Sequence, residues 1–553
     1  MKHFKSLDEF ATEDLILRVL TKERAKVDVN QRRGARLGPL AAGLCSMMPP
    51  KSLWMRPGKN RRPKKSGKST DRWTYPRKIA DARIYQTIAK ARRINPDADW
   101  LKDLDAYVAQ IKELIRNPES FSFQTPDVYK VFKKVDKAGN FIYRPICVYS
   151  DLDTKVIMAV LYRYFLDVLD GCFHRNMLFM RSSRGGKAVA YTECIRLAGQ
   201  YRCSHNDENI YVGECDIQTF YDILNHDAVM ACFLQLLSFR AEQQHVTVSA
   251  YSEPLRLLEK YLRSYDFYHQ VWMKNADESE WKGEVKRIRR QLNIENPVCK
   301  FKWLSDADFT GSGCYDEESL QRAKDEGKLG IPQGGSLSGL IVNVVMQCVD
   351  DDIVRGKDDD RFFVRYCDDI LLMHTDEEKC REYLEVYHRN LKKYGLIPHP
   401  AKDVSDSKHG RRTLQTFWKD SKSKNVYLWG DGEGDSSRWV GFVGYEMSRS
   451  GEIRIRKDKI DDFHRKIARK YYQVVNSTSA DSSKSLRRFD RLAPKILDYE
   501  MATFGTTSTI NQARHLDKYL SYRFRRAAGK LRVEDPGSPV TFEETVRNSS
   551  GSE

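Results

Sequence analysis

Two adjacent carboxylates interrupt an apolar run, RFFVRYCDDILLM, and constrain this chain more than any other feature. The flanking residues read as strands, so the sequence predicts a hairpin with Tyr366, Cys367, Asp368 and Asp369 at its tip. Side-by-side acids on an otherwise buried hairpin repel each other and lose hydration. A divalent cation offsets that cost, and hard ions such as Mg²⁺ take carboxylate oxygens and bring phosphates with them. Taken alone, the pair could equally be an acidic turn, because Asp suits turns.

A further acid joins it. The strand NIYVGECDI ends on Asp216, and Phe220, Tyr221 and Asp222 follow. A strand-end Asp beside a hairpin-tip pair can hold two metal ions. One would lower the pKa of an attacking 3′-hydroxyl, and the other would stabilise the leaving pyrophosphate of an in-line displacement. An aromatic five residues after the first Asp can pack under an incoming sugar. Tyr221 there would exclude a 2′-hydroxyl; packing in a core is the other reading of this residue. Between the acids lies GIPQGGSLSGLIVNVVMQ. Gly334 and Gly335 allow close backbone approach, and Ser336 can cap the helix that follows. Such a turn can lie under a template base or a primer strand.

Charge points the same way. There are 94 Lys+Arg against 77 Asp+Glu, a net +17, which suits a polyanionic partner, most simply nucleic acid. With 41% hydrophobic and 11% aromatic residues over 553 positions, the chain can build two to four cores and is not of the disordered class. Its twelve cysteines are scattered without a CxxC pair, which argues against a zinc ribbon and suits a reducing cytosol. No run of apolar residues is long enough for a membrane span, and MKHFKSLDEF does not read as a secretory signal.

Along the chain, Ser6 to about Lys26 reads as one amphipathic helix capped by Ser6. Between Lys51 and Lys78 about eleven Lys/Arg stand against one acid, interleaved with Trp54, Trp73 and Tyr75. That segment suits a phosphate backbone, with its aromatics stacking on bases. Ile79 to Ile115 is helical in pattern. VYKVFKKV, the turn DKAGN and FIYRPICVY predict a hairpin, and WVGFVGYEMSRSGEIRIR predicts another. Residues 238–328 read as a polar, mostly helical insertion. The C-terminal part is basic and helical up to a polar tail.

Together these motifs resemble those of reverse transcriptases. F-Y-D after Asp216, P-Q-G-G-S-L-S at Pro332 to Ser338 and Y-C-D-D at Tyr366 to Asp369 occur in that family's order. YRPICVYSDLDTKVI resembles the fingers segment of bacterial members, and RSSRGGKAVAY is similar to the segment after it. GLIPHPAKD resembles a palm motif ending in Lys, and WVGFVGYEM the strand leading into the thumb. The resemblance covers roughly residues 125 to 525. It implies an α+β right-hand polymerase: fingers, a palm with an antiparallel sheet and a helical thumb, with a helical and basic N-terminal extension. The expected domains are that extension at 1–120 (basic arm about 51–78), fingers and palm at 121–425 (insertion about 238–328), a thumb-like domain at 426–530 and a disordered tail at 531–553.

Carried over by position, Asp216, Asp368 and Asp369 would be catalytic and would hold two Mg²⁺, or Mn²⁺ in their place. Lys133 or Lys134 and Arg144 would contact the triphosphate, since cations clamp phosphate oxygens well. Tyr221 would gate the sugar, Gln333 and Gly334 would line the nucleotide pocket, and Lys402 is a candidate proton donor. Expected nucleic-acid contacts are Arg56, Lys59, Arg61, Arg62, Lys64 and Lys65 in the basic arm, Arg184 and Lys187 in RSSRGGKAVAY, and Arg454, Arg456, Arg465 and Arg469 toward the C-terminus. No RNase H cluster and no HNH-type Cys/His set is visible. What remains resembles bacterial reverse transcriptases of antiphage defence, the unknown-group and abortive-infection relatives. That implies a cytoplasmic RNA-directed DNA polymerase in a bacterium. Its partners would be a dedicated noncoding RNA, dNTPs, a DNA product and other copies of itself, and no membrane. Template-independent or protein-primed synthesis at the same site, and a group II intron-type maturase, are the alternatives.

Overall fold

The computed structural model describes residues 4–32, 38–56, 71–136, 138–181, 189, 191–292, 294–403, 422–432, 436–475 and 507–534. The expected contacts Lys59, Arg61, Arg62, Lys64, Lys65, Arg184 and Lys187, the Arg469 side chain and most of the C-terminal tail lie outside the described residues.

Five helices open the chain: α1 (Leu7–Phe10), α2 (Glu13–Gln31), α3 (Pro39–Ser46), α4 (Asp71–Ile94) and α5 (Asp99–Arg116). The single helix expected from Ser6 is two. Ser6 and Glu9 form a capping box on α1, and the Thr12 hydroxyl accepts from the Leu15 N–H to start α2 afresh. The helical pattern to Ile115 is likewise broken, at Asn95-Pro96, because a residue before proline is pushed out of the α region. Trp54 corrects the reading of the basic segment. It is 4% exposed, its indole N–H donates to the Pro49 carbonyl, and the Arg24 guanidinium lies 5.0 Å from its ring centroid. It belongs to the core and is not free to stack on bases.

Next come the strands β1 (Asp127–Val135) and β2 (Phe141–Val148), then α6 (Leu152–Leu169), α7 (Thr192–Ser204), β3 (Tyr211–Cys215), α8 (Phe220–Ile223), α9 (His226–Gln244) and α10 (Ser252–Arg263). They are followed by α11 (Glu278–Leu292), β4 (Cys299–Phe301), α12 (Asp306–Gly311), α13 (Glu317–Asp325), α14 (Ser336–Val354), β5 (Phe362–Tyr366), β6 (Asp369–His374), α15 (Glu377–Lys393), β7 (Ala401–Lys402) and β8 (Ser423–Trp429).

Two sheets position the site. In the larger, the strand order is β5-β6-β3-β8-β7, antiparallel except for β7 on β8. Helix α14 lies behind it with nearly every residue buried, in one core with α6, α9 and the N-terminal helices. In the smaller sheet β1 and β2 form the expected hairpin, with Asp136 accepting from the Ala138 and Asn140 N–H groups in its turn. The insertion is not only helical. Its β4 pairs in parallel with β2 and adds a third strand, and Phe301, Trp281 and Ile288 from the insertion bury Phe141 and Tyr143. Burial of such aromatics stabilises the pairing.

The chain divides into two compact units, one of residues 1–194 with 205–428 and one of 195–204 with 429–553. The second contains β9 (Ser436–Ser437), β10 (Trp439–Phe442), β11 (Tyr445–Ser448), β12 (Ile453–Ile455), α16 (Lys457–Val475) and α17 (Thr507–Glu534). The stretch WVGFVGYEM, expected as one strand of a hairpin, turns back on itself. Val443 and Gly444 both have positive φ (44° and 90°), so β10, β11 and β12 form a three-stranded meander. The Gln512 side chain bonds both the N–H and the carbonyl of Ile455, tying α17 to β12.

Candidate active site

The ladder between β3 and β6 sets the centre. Cys215 pairs with Ile370, so the next residue, Asp216, falls beside Asp369. Tyr366 pairs with Asp369 across β5 and β6, which leaves Cys367 and Asp368 as a two-residue turn. Cys367 adopts φ 64°, a backbone shape that costs a non-glycine residue ~1–2 kcal/mol. A buried ion pair holds it there. Arg365 Nε donates to Asp350 Oδ2 at 2.6 Å, both side chains are 0% exposed, and Arg365 Nη1 donates to the Cys367 carbonyl at 2.9 Å. Three carboxylates thus reach one end of the sheet.

Asp216 is 2% exposed. Its N–H donates to Ser423 Oγ at 3.1 Å, and its carbonyl accepts from the His399 N–H at 2.8 Å. Its Oδ2 is paired with the Lys422 ammonium and lies 3.6 Å from His399 Nε2. Burial drives the His399 pKa down to about 4, with Lys302, Lys133 and Lys134 acting in the same direction. Withdrawal of water pushes the Asp368 carboxyl above the usual carboxylate range, opposed among others by Lys133 and Arg144.

Those two cations come from the hairpin β1–β2. The pairing register shifts between Phe132 and Lys134, so Lys133 is the extra residue of a bulge. A bulged residue is released from the ladder and re-aimed. Protein packed around the Lys133 ammonium lowers its pKa to about 8, helped by Arg144 and opposed by Asp222. Lys133, Lys134 and Arg144 are all exposed residues at this end of the hairpin.

Tyr221 is half-buried on the single turn α8, its hydroxyl 4.0 Å from Cys367 Sγ. The Asp222 side chain is buried and accepts from Gln333 Nε2 at 2.7 Å, and burial raises its carboxyl to about 7. The Gln333 carbonyl in turn accepts from the Cys147 N–H of β2 at 2.8 Å. Gly334 has φ 113°, and a Cβ there would lie 3.3 Å from Ile146. The turn before α14 therefore joins the smaller sheet to the site. Its helix is capped at Gly335, with no side-chain bond, and not by Ser336 as expected.

Lys402 lies on β7, paired with Lys424 of β8; the ammonium on Asp216 belongs to Lys422. Arg56 is exposed at the end of residues 38–56. In the second unit, Arg454 pairs with Glu446 at 2.7 Å and lies 3.7 Å from the Trp439 ring centroid, Arg465 pairs with Asp462, and Arg456 is half-buried. Sequence reasoning missed Asp222 as the partner of Gln333, and also His399, Lys422, Arg365 and Lys302. Only Lys302 left a usable local signal, the alternation of Cys299, Phe301 and Trp303 with Lys300 and Lys302.

Residues 262–414 match the family model described as reverse transcriptase (RNA-dependent DNA polymerase). No curated protein matches the chain. Solved structures similar to it include apo telomerase from Candida tropicalis, 11% identical, with 77% of this chain and 67% of that chain covered at a TM-score of 0.33. Another is telomerase from Candida albicans in complex with a TWJ fragment of telomeric RNA, 13% identical, with 89% and 77% covered at 0.31. The matched segment holds both the Gln333 turn and the Asp368–Asp369 hairpin, so the chain carries a reverse transcriptase domain and is an enzyme, an RNA-directed DNA polymerase.

Proposed function

We propose that this chain copies an RNA into DNA from dNTPs at Asp216, Asp368 and Asp369, serving antiphage defence in a bacterial cytoplasm with a dedicated noncoding RNA. The β3–β6 register carries this reading, because it brings Asp216 beside the Asp368–Asp369 turn, whose Asp368 is acted on by Lys133 and Arg144. In this reading the larger sheet is the palm, β1, β2 and β4 belong to the fingers, and α16 and α17 to the thumb. The defence role rests on the motif resemblance and on the helical, basic N-terminal part.

No group of three His, Cys, Asp or Glu among the described residues closes on a single metal position. The donors nonetheless suit Mg²⁺. They are all hard carboxylate oxygens, one is disfavoured as an anion by burial, and another already attracts the Lys422 ammonium. Bound there, two Mg²⁺ would supply an ionised 3′-hydroxyl and charge neutralisation on the leaving pyrophosphate. The chain's own side chains do the positioning. Lys133, Lys134 and Arg144 clamp the triphosphate, Tyr221 lies under the sugar, and Gln333, oriented by Asp222, faces the nucleotide from the other side. The 3′-oxygen then attacks the α-phosphorus as the bond to the β-phosphate oxygen breaks.

The test uses protein purified with its bound nucleic acid, Mg²⁺ and labelled dNTPs, comparing wild type with Asp368→Asn/Asp369→Asn. Incorporation by wild type alone, complementary to one co-purified RNA, is expected. Product matching no RNA would replace templated synthesis with template-free synthesis. Absence of incorporation with every dNTP and metal supplied would overturn the reading.

A further inference from the structure

The insertion at residues 238–328 places one more cation, Lys302, next to Arg144. Strand β4 pairs in parallel with β2, Lys300 opposite Ile142 and Phe301 opposite Tyr143. One residue further along, Lys302 therefore stands beside Arg144. Side chains alternate across a strand, so Lys302 shares a face with Arg144, and Phe301 points the other way into the aromatic core. Neighbouring strands are only about 5 Å apart, which brings the two cations within reach of one polyphosphate.

The backbone that presents Lys302 is clamped on both sides. The Asn275 side chain donates to the Phe301 carbonyl at 3.1 Å and accepts from the Phe301 N–H at 2.9 Å. Trp303 stacks on Phe267 with ring centroids 4.8 Å apart. A side chain held from both neighbours is pre-organised rather than searching.

No hydrogen bond or ion pair occupies the Lys302 ammonium among the described residues. Burial and Lys134 both act against its charge, and Asp308 and Asp222 are the acids that favour it. Asp308 is already engaged by Ser305 in the capping box of α12, and Asp222 by Gln333. Lys133, Lys134, Arg144 and Lys302 thus gather four cations beside one another, an arrangement that favours an anion carrying several charges.

We infer that Lys302, delivered by the insertion strand beside Arg144, is a further binding residue for the β- and γ-phosphates of the incoming nucleotide. This rests on the polymerase reading above. A nucleoside monophosphate is too short to use such a contact, so Lys302 discriminates by phosphate number.

The experiment measures dNTP and dNMP affinity by calorimetry, using a non-hydrolysable α,β-imido dNTP with Mg²⁺ and a poly(rA)–oligo(dT) primer–template. Steady-state incorporation is measured alongside. Lys302→Met keeps the stem and removes the charge, Lys302→Arg restores a charge, and Lys300→Ala serves as a control nearer the hairpin turn. The expected result is a rise of about tenfold or more in Kd and KM for dNTP in Lys302→Met. Monophosphate affinity should be unchanged, Lys302→Arg should recover most of the loss, and Lys300→Ala should match wild type. If wild type polymerises and folded Lys302→Met binds dNTP equally well, the inference is overturned while the polymerase reading stands. If wild type neither binds nor incorporates dNTPs, both are overturned.

Discussion

The Arg365–Asp350 pair lets stability and positioning be separated by experiment. Both side chains are 0% exposed and 2.6 Å apart, and Arg365 also holds the Cys367 carbonyl of the acidic turn. Even with the guanidinium in place, burial raises the Asp350 carboxyl from its ordinary 3.8 to about 6. That elevation corresponds to about 3 kcal/mol against the charged form. Arg365→Met removes the group that opposes this burial, and breaking a buried pair costs ~3–5 kcal/mol. A carboxyl raised in the folded state contributes stability that is complete below the unfolded pKa and is lost as pH rises through the folded one. In wild type that loss falls between about pH 4 and 6. In Arg365→Met the folded pKa climbs further, so the loss continues to higher pH, and the variant should be more destabilised at pH 8 than at pH 5 by at least ~1 kcal/mol. Urea unfolding at both pH values reads this directly. Arg365→Met/Asp350→Leu removes both charges and should recover to within ~2 kcal/mol of wild type. Nucleotide incorporation should stay down by about tenfold or more in that double variant, because the bond to the turn is still missing. A single substitution costing under ~1 kcal/mol at both pH values would refute the argument that the pair is desolvated. A double variant that regains full activity would refute the positioning role.

Three further outcomes are expected. The pKa of about 8 at Lys133 should appear as a fall in kcat/KM for dNTP as pH rises through that value, and Lys133→Arg should remove the fall while Lys134→Arg leaves it. Tyr221→Ala should relax discrimination against ribonucleotides by on the order of 100-fold in competing incorporation, since the exclusion is steric; unchanged discrimination would leave Tyr221 as packing alone. Lys422 pairs with Asp216 but is 61% exposed, so its competition with a metal is modest; Lys422→Met should lower the Mn²⁺ concentration for half-saturation, followed by electron paramagnetic resonance, by about two- to fivefold, and a weaker Mn²⁺ affinity would reverse its role.

What could be read from the sequence, and what could not, divides by the range of the interactions. The Asp368–Asp369 hairpin and the β1–β2 hairpin are local, and their strand patterns and turn residues lie within about a dozen positions of one another. The Arg365–Asp350 pair, the grip of His399 and Lys422 on Asp216 and the pairing of β4 with β2 join residues from separate elements. No periodicity encodes such partners. Composition misled where a long side chain does two jobs. Trp54 stands in a basic, polar segment, yet Arg24 and Arg83 cover its ring and make it core. The choice between Lys133 and Lys134 shows the same limit most sharply. Strict alternation would send the two to opposite faces but cannot say which face meets the acids. The bulge changes the count by one residue and takes Lys133 out of the ladder, so the cation that Asp222 and Asp368 feel is set by a defect in the pairing rather than by the pattern. Restoring regular pairing by deleting one of the two lysines should therefore impair dNTP binding more than replacing Lys134 does, because the pairs on either side of the bulge are kept and only the released cation is lost.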